Sequence, residues 1–457
     1  MGLFDKYETL LDQTDTIRSW GEVQSIQGLL IQSKGPECGV GELATIHLPD
    51  GRHAFAEVVS RDDKRVHMMA LTDTFGLVRG SPVFTKGRTL EIPVGDELLG
   101  RVLDGIGQSL DGQALNFYHN TRSIFAPPAG ILERKLIQDP LETGVRAIDG
   151  LLTLGRGQRI GIFAGSGVGK STLLSMIARN TSADVNVIAL LGERRREVQE
   201  FMERDLGPEG MKRSVLVVAT ADDPPLARVR GLYTATTIAE YFREQGKDVM
   251  LIVDSVTRTA MAQREIGASL GEVPISRGYA PSVFTMLARV LERAGATQKG
   301  TITGLYNVLV EGDDFDEPIS DATRGILDGH IVLSRALAHK NQYPAIDVPA
   351  SISRMMIHIT DAEQRAAADQ VREWISTHRE IEDLINIGAY VRGTNPVADQ
   401  AIAHLPEIKA FLKQGIHEQA PAADTLERLK ALAGGRTRGE GLLRGSRPKT
   451  SVLGGLG

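Results

Sequence analysis

The stretch GIFAGSGVGKSTLLSM, residues 161–176, decides how the rest of the chain is read. Its glycines run directly into Lys170, Ser171 and a Leu-rich segment. A Gly, four free positions and Gly-Lys-Ser/Thr form a phosphate loop, in which backbone N–H groups cradle phosphates, an ammonium meets the outer ones and a hydroxyl meets Mg²⁺. Ala164 replaces the first Gly here. Gly165, Gly167 and Gly169 still let the backbone turn through positive φ and approach a ligand closely. Such a loop binds phosphate only where a strand feeds it and a helix leaves it. Both flanks fit: RIGIF at 159–163 reads as a short apolar strand, and Leu173, Leu174, Ile177 and Ala178 fall at helical spacing.

Outward from this loop, strands alternate with helical segments between about residues 96 and 355, which predicts parallel βαβ units and an open α/β sheet. The strand candidates are RIGIF, VNVIALL (185–191), SVLVVAT (214–220), VMLIVD (249–254), TITGLYNVLV (301–310) and HIVLS (330–334). Residues 21–95 read instead as short strands: LLIQ (29–32), ATIHL before Asp50-Gly51, AFAEVVS after it, VHMMAL (66–71) and LEIPV (90–94). An Asp-Gly pair between alternating apolar runs signals a hairpin, and strands at this spacing predict a small barrel. Beyond residue 361 the pattern is helical, with Ala366, Val371, Trp374 and Ile375 assigned to one face and further helices near 401–413 and 425–432.

The 457 residues suggest about two to four domains. No stretch approaches the roughly 18 apolar residues of a membrane span. The start, MGLFDKYETL, has no basic-then-apolar signal, and Lys6 stands where a myristoylation signal wants Ser or Thr. Cys38 is the only cysteine, which excludes internal disulfides and a cysteine metal site. A cytosolic protein is expected. Near the N-terminus Leu3, Phe4, Tyr7, Leu10 and Leu11 share one helical face, which either docks back on the chain or receives a partner. Residues 434–457 hold five basic residues, one acid and eight glycines; a disordered tail is expected there, either a solvated end or a tether to an acidic or lipid partner.

Hydrolysis of a bound nucleotide needs a metal anchor, a group that activates water and cations for the transition-state charge. Asp254 stands at the carboxyl end of an apolar run, where open α/β sheets place ligands; it can hold Mg²⁺ or cap the next helix. Glu193 follows VNVIALL in the run GERRRE, as a carboxylate able to polarise water or as part of a solvated charge cluster.

FAGSGVGKS, LLGERRREVQEF, LIVDSVTR, MAQREIGASLGEVPISRGYAPSVF, EGDDFDEPISDATRGILDGHIVLSR and YPAIDVPASISR together resemble the ATPases of type III protein export, relatives of the catalytic subunits of rotary F-type and V-type ATPases. The likeness extends from the barrel through GRVLDGIGQSLDG (100–112) to LINIGAYVRGTNPVADQAI (384–402) and is best for the flagellar branch. The injectisome ATPases, which typically carry a Cys near the position of Val168, are the alternative. Ala164, Ser109 and Ala280 depart from the family pattern, none of them at a catalytic side chain.

The resemblance implies a P-loop RecA-like ATPase core with a parallel sheet, a small N-terminal β-barrel and a C-terminal helical domain. The corresponding limits are an amphipathic partner-binding segment at 1–20, the barrel at 21–95, the ATPase domain at 96–360, the helical domain at 361–433 and the tail at 434–457. It implies nucleotide binding by Gly165, Ser166, Gly167, Val168, Gly169, Lys170, Ser171 and Thr172, with Tyr343 stacked on adenine. It implies Mg²⁺ on Ser171 and Asp254, Lys170 on the β and γ phosphates, Glu193 as the catalytic carboxylate, Arg194 and Arg258 beside it, and Arg354 as a finger for the neighbouring subunit. The implied assembly is a homohexamer. Its partners are a stator-like regulatory protein at the N-terminus, a stalk-like protein in the ring pore, the export gate, chaperones and flagellar substrates, and its place is cytoplasmic, peripherally at the inner-membrane export apparatus. Nucleic acid is not expected: residues 21–95 carry eight Lys/Arg against nine Asp/Glu and only Phe55, Phe75 and Phe84 as aromatics. A non-catalytic nucleotide-binding subunit is also disfavoured, because such subunits typically lack the carboxylate that Glu193 supplies.

Overall fold

A computed structural model describes residues 20–115, 120–310 and 314–434. The N-terminal apolar stripe and nearly all of the basic tail lie outside the described residues.

Six strands close a barrel: β1 (Trp20–Gln27), β2 (Leu30–Lys34), β3 (Glu42–His47), β4 (His53–Arg61), β5 (Val66–Ala70) and β6 (Pro82–Thr89), in the order β1-β2-β5-β4-β3-β6. Alternation turns Val23, Ile31, Ala44, Ile46, Ala54, Ala56, Val58, Met68 and Val83 inward, where they form the barrel core. The Asp50-Gly51 hairpin joins β3 to β4, with Leu48 donating to the Arg52 carbonyl at 2.9 Å.

Two strand expectations need correction. LEIPV is not part of the barrel: its Glu91–Pro93 pairs with Thr121–Ser123, and Leu90, Ile92 and Val94 are buried in the core of the next domain. The barrel is closed instead by β6 pairing with β1, two strands whose many polar residues hid them.

The central sheet contains β7 (Val102–Asp104), β8 (Arg159–Ala164), β9 (Val185–Leu191), β10 (Ser214–Ala219), β11 (Asp248–Asp254), β12 (Thr301–Leu309), β13 (Gly329–Leu333) and β14 (Ile352–Ser353), in the order β14-β13-β8-β12-β11-β9-β10-β7. All of these neighbours run parallel except β14, which is antiparallel to β13. Every residue of β9 and β10 is buried, as a parallel sheet covered on both faces requires. The covering helices include α1 (Lys170–Asn180), α2 (Pro225–Glu244), α3 (Val256–Ser269) and α4 (Pro281–Leu291).

The C-terminal region packs α5 (Ala362–Asn386), α6 (Pro396–Leu412) and α7 (Ala422–Ala433). Trp374 of α5 stacks on His404 of α6, ring centroids 4.3 Å apart. Ala366 is exposed, contrary to expectation, and the buried stripe runs through Gln364, Ala367, Ala368, Val371 and Trp374. The stripe is shifted because polar Gln364 faces inward, donating to Thr153 Oγ1 at 2.9 Å.

The barrel meets the central domain through a buried ion pair. Arg230 of α2 donates to Glu57 of β4 from Nε (2.7 Å) and Nη2 (2.5 Å) while lying over the Phe125 ring. Removing one member of such a pair strands the other charge in a poorly solvated place. Glu57→Ala is expected to destabilise the fold by about 3 kcal/mol. Denaturant unfolding would show it, with Glu57→Gln, which keeps a hydrogen-bond acceptor, losing less.

Candidate active site

The loop after β8 turns left-handed at Gly167 (φ 78°) and Gly169 (φ 91°), so the required positive φ falls on two of its three glycines. Helix α1 begins at Lys170, and its unpaired N–H groups face the loop, an arrangement suited to anionic phosphate. Ser171 lies exposed in the first turn, whereas Val168 is buried beneath the loop. Tyr343 sits directly against the loop: a Cβ added at Gly169 would lie 3.3 Å from its Cε1. Its ring is 42% exposed, so one side remains open to a flat ligand.

The functional side chains converge because β8, β12, β11 and β9 are adjacent and all point the same way. Lys170 Nζ donates to Asp254 Oδ1 at 2.7 Å and reaches Glu193 Oε1 at 3.5 Å. Arg258, in the first turn of α3, binds the other oxygen of Glu193 at 3.2 Å and the Gly192 carbonyl at 2.5 Å. Gly192 has φ 77°, and a Cβ there would come within 2.9 Å of the Arg258 stem, so only glycine admits this approach. The backbone after β9 is held on both sides, with Gly192 N–H on Ala219 O and Ala221 N–H on Glu193 O.

Asp254 and Glu193 are both buried. Burial pushes the Glu193 carboxyl up to about 7, its hydrogen bond with Glu197 and the Asp254 charge add to that, and Lys170 and Arg258 oppose it. The same hydrogen bond draws Glu197 down. Glu193 is therefore a carboxylate poised to exchange a proton near neutrality.

Lys170, Glu193, Asp254 and Arg258 thus form one cluster, with Gly165 to Thr172 and Tyr343 around it. Arg194 does not join them: it is exposed, its carbonyl accepts from Val198 N–H at 3.1 Å, and its backbone and charge act on Glu197. Arg354 lies elsewhere. It follows β14, whose Ser353 pairs with Gly329 at the amino end of β13, and its N–H donates to Asp328 O at 3.1 Å. His330 is abreast of Gly161 on β8, so the preceding Gly329 and its partner Ser353 lie about 16 Å short of Gly165 along the sheet at about 3.3 Å per residue. Arg354 is exposed and cannot reach its own phosphate loop.

One member of the cluster was not anticipated. Asn307 of β12 donates from Nδ2 to Asp254 Oδ1 at 2.7 Å and is fully buried. A polar residue inside TITGLYNVLV was the available signal.

Residues 144–353 match the nucleotide-binding domain of the ATP synthase alpha/beta family, residues 23–87 match its beta-barrel domain, and residues 360–431 match the C-terminal domain of the type III secretion ATPase EscN. The chain is 52% identical to the flagellum-specific ATP synthase of Treponema pallidum, over 94% of this chain and 97% of that one. The chain belongs to the type III export branch of the ATP synthase alpha/beta family. It is 50% identical to the flagellum-specific ATP synthase of Bacillus subtilis (94% and 99% covered) and 46% identical to the type 3 secretion system ATPase of Xanthomonas euvesicatoria (91% and 94%). Its fold is similar to that of the assembled ATPase EscN of enteropathogenic E. coli, with a TM-score of 0.85 and 44% identity over 90% of this chain and all of that one. EscN has also been solved in complex with its central stalk EscO.

The Glu193 surroundings give a signed pH expectation. Only the ionised carboxylate can polarise water, so kcat/KM should fall as pH drops through about 7. Arg258 favours the ionised form, so Arg258→Ala should move this acid limb to higher pH. A pH profile of kcat/KM for both proteins checks the direction.

Proposed function

We propose that this chain is an ATPase that energises flagellar protein export, with Lys170, Glu193 and Asp254 as its working residues. The carrying observation is the placement of the Lys170 ammonium between two buried carboxylates at the carboxyl edge of the sheet. A cation held by acids is ready for a stronger anion. Polyphosphate in the loop draws Lys170 onto the β and γ oxygens and leaves the carboxylates for metal and water.

Ser171 and Asp254 are the residues that would hold Mg²⁺, which supplies positive charge against the phosphates. The donor set fits a hard ion that takes few protein oxygens and keeps its waters. Among the described residues no cluster of three or more His, Cys, Asp or Glu offers a dedicated metal cage. Glu193 orients the attacking water and takes up its proton, Arg258 holds Glu193, and Tyr343 stacks on the base. Arg194, exposed beside this group, contributes only once the site is loaded.

Arg354 serves a neighbouring copy. Its distance from its own loop and the assembled state of the similar ATPase EscN support a homohexamer with active sites between subunits. The EscN–EscO complex supports a stalk-like protein in the pore. A stator-like regulator on residues 1–20, the export gate, chaperones and flagellar substrates complete the proposed partners, with the domain limits given above. Among the described residues no helix is long and apolar enough to cross a membrane, which suits a cytoplasmic protein bound peripherally at the inner membrane. The injectisome role is the second reading, favoured by the likeness to secretion ATPases; restoration of swimming in a flagellar ATPase deletion strain, without restoration of injectisome secretion, would separate the two.

Lys170→Ala should abolish ATP hydrolysis in a protein that still folds but melts at a lower temperature, because it strands the buried Asp254 carboxylate, and Glu193→Gln should bind ATP but not turn it over. Phosphate release, nucleotide binding and thermal melting together check both.

Arg354→Ala should also be inactive, yet mixing it with Glu193→Gln should restore about a quarter of the wild-type rate in random hexamers, since the second protein donates its arginine to the first. Silence in verified mixed rings would count against a finger supplied in trans.

A further inference from the structure

Among the described residues, the active-site cluster holds one buried acceptor without a donor, Asn307 Oδ1, and one buried donor without an acceptor, Arg258 Nε. Asn307 is fully buried on β12, between the strand that feeds the phosphate loop and the strand that ends in Asp254. Val253 is abreast of Tyr306, which brings Asp254 abreast of Asn307, with both side chains on one face of the sheet. Its amide is oriented by its partner: the Asp254 carboxylate only accepts, so Nδ2 must face it, at 2.7 Å. The carbonyl end, Oδ1, is buried and has no hydrogen-bond partner among the described residues. An unpaired buried acceptor carries a desolvation cost that no described residue relieves.

We propose that Asn307 is a positioning residue for the metal step, resting on the ATPase reading above. It has two tasks. Its N–H fixes one oxygen of Asp254, so that the carboxylate keeps its orientation when Lys170 leaves for the phosphates. Its Oδ1 accepts a hydrogen bond from a water of the Mg²⁺ shell, a donor that no described residue supplies. Lys170 and Asn307 now share Asp254 Oδ1, each at 2.7 Å, so departure of the lysine leaves the amide as the remaining anchor. Outer-shell groups of this kind typically change metal affinity about 10- to 100-fold.

The test compares Asn307→Thr with Asn307→Val, two β-branched side chains of one shape that suit a strand and differ only by a hydroxyl. Full-length protein would be titrated with ADP in the presence and absence of Mg²⁺, and the ADP complex with Mn²⁺ followed by electron paramagnetic resonance. The Val variant is expected to bind Mn²⁺ about tenfold more weakly, to lose the same factor for ADP with Mg²⁺, and to bind ADP without metal as wild type does. The Thr variant should retain most of the metal-dependent affinity. Equal behaviour of Thr and Val, or equal loss with and without metal, would overturn the proposal in favour of a packing role. Should the Val variant fail to fold by thermal melting, Asn307→Ala, which removes both polar atoms without adding bulk, takes its place with the same expected outcome. The ATPase reading is judged separately by turnover of the wild-type protein, so loss of one conclusion is distinguishable from loss of the other.

Discussion

Two carboxylates stand buried at the same end of one sheet, and the structure is organised around the cations that make this tolerable. Asp254 and Glu193 belong to different strands and are each almost excluded from solvent. Isolated in such a place, an ionised carboxylate costs several kcal/mol and would protonate instead. Lys170 reaches both, Arg258 braces Glu193, and Asn307 binds Asp254. These groups come from β8 and its loop, β9, β11, α3 and β12, so the electrostatic balance of the site depends on the register of four adjacent strands. Under the proposed roles, a phosphate chain competes for the lysine and its arrival unbalances the acids, which would couple nucleotide binding to the protonation and orientation of Glu193.

The sheet explains why these residues meet. Because β8, β9, β11 and β12 run parallel, their carboxyl ends open on one edge, and each crossover helix returns the chain to the opposite end. The same geometry requires glycine where a loop must turn back over its neighbour, as at Gly192 under the Arg258 stem. The barrel contributes no side chain to this cluster. It is fastened to the central domain by the ion pair between Glu57 and Arg230.

What was legible in the sequence follows the same physics. Parallel strands are buried on both faces, so VNVIALL and VMLIVD announced themselves as continuous apolar runs, and the phosphate loop announced its own strand and helix. Barrel strands β1 and β6 bury few side chains and lack that signal. LEIPV carried a strand signal but joined another core, a choice made by tertiary packing. Ala366 was misassigned because small residues surround a buried glutamine, which blurs the helical stripe. Glu193 stood in a run of charges, and spacing could not separate the one buried carboxylate from its solvated neighbours. Only a family resemblance did so, and the geometry gives the reason: the residue is still under the sheet's edge, whereas Arg194 to Glu197 have left it.

The polarity of the sheet also bears on assembly. Strand β14 is antiparallel to β13, so the chain that leaves Tyr343 beside the phosphate loop travels back toward the amino end before presenting Arg354. A parallel sheet separates its two ends by the full strand length, and no rotamer of an arginine spans that gap. Under the proposed finger role, the Arg354 cation is therefore on the far side of its own molecule and on an exposed surface, beside the partly exposed Ile352 and Ile357. Polar and apolar groups left together at one end, and a site short of positive charge at the other, are complementary halves. Repetition of that contact from copy to copy is head-to-tail, and a head-to-tail contact that closes on itself makes a ring. Cyclic assembly in this reading is a consequence of strand direction: the fold builds most of the site at one edge, and the remaining charge can arrive only from the opposite end of the next molecule.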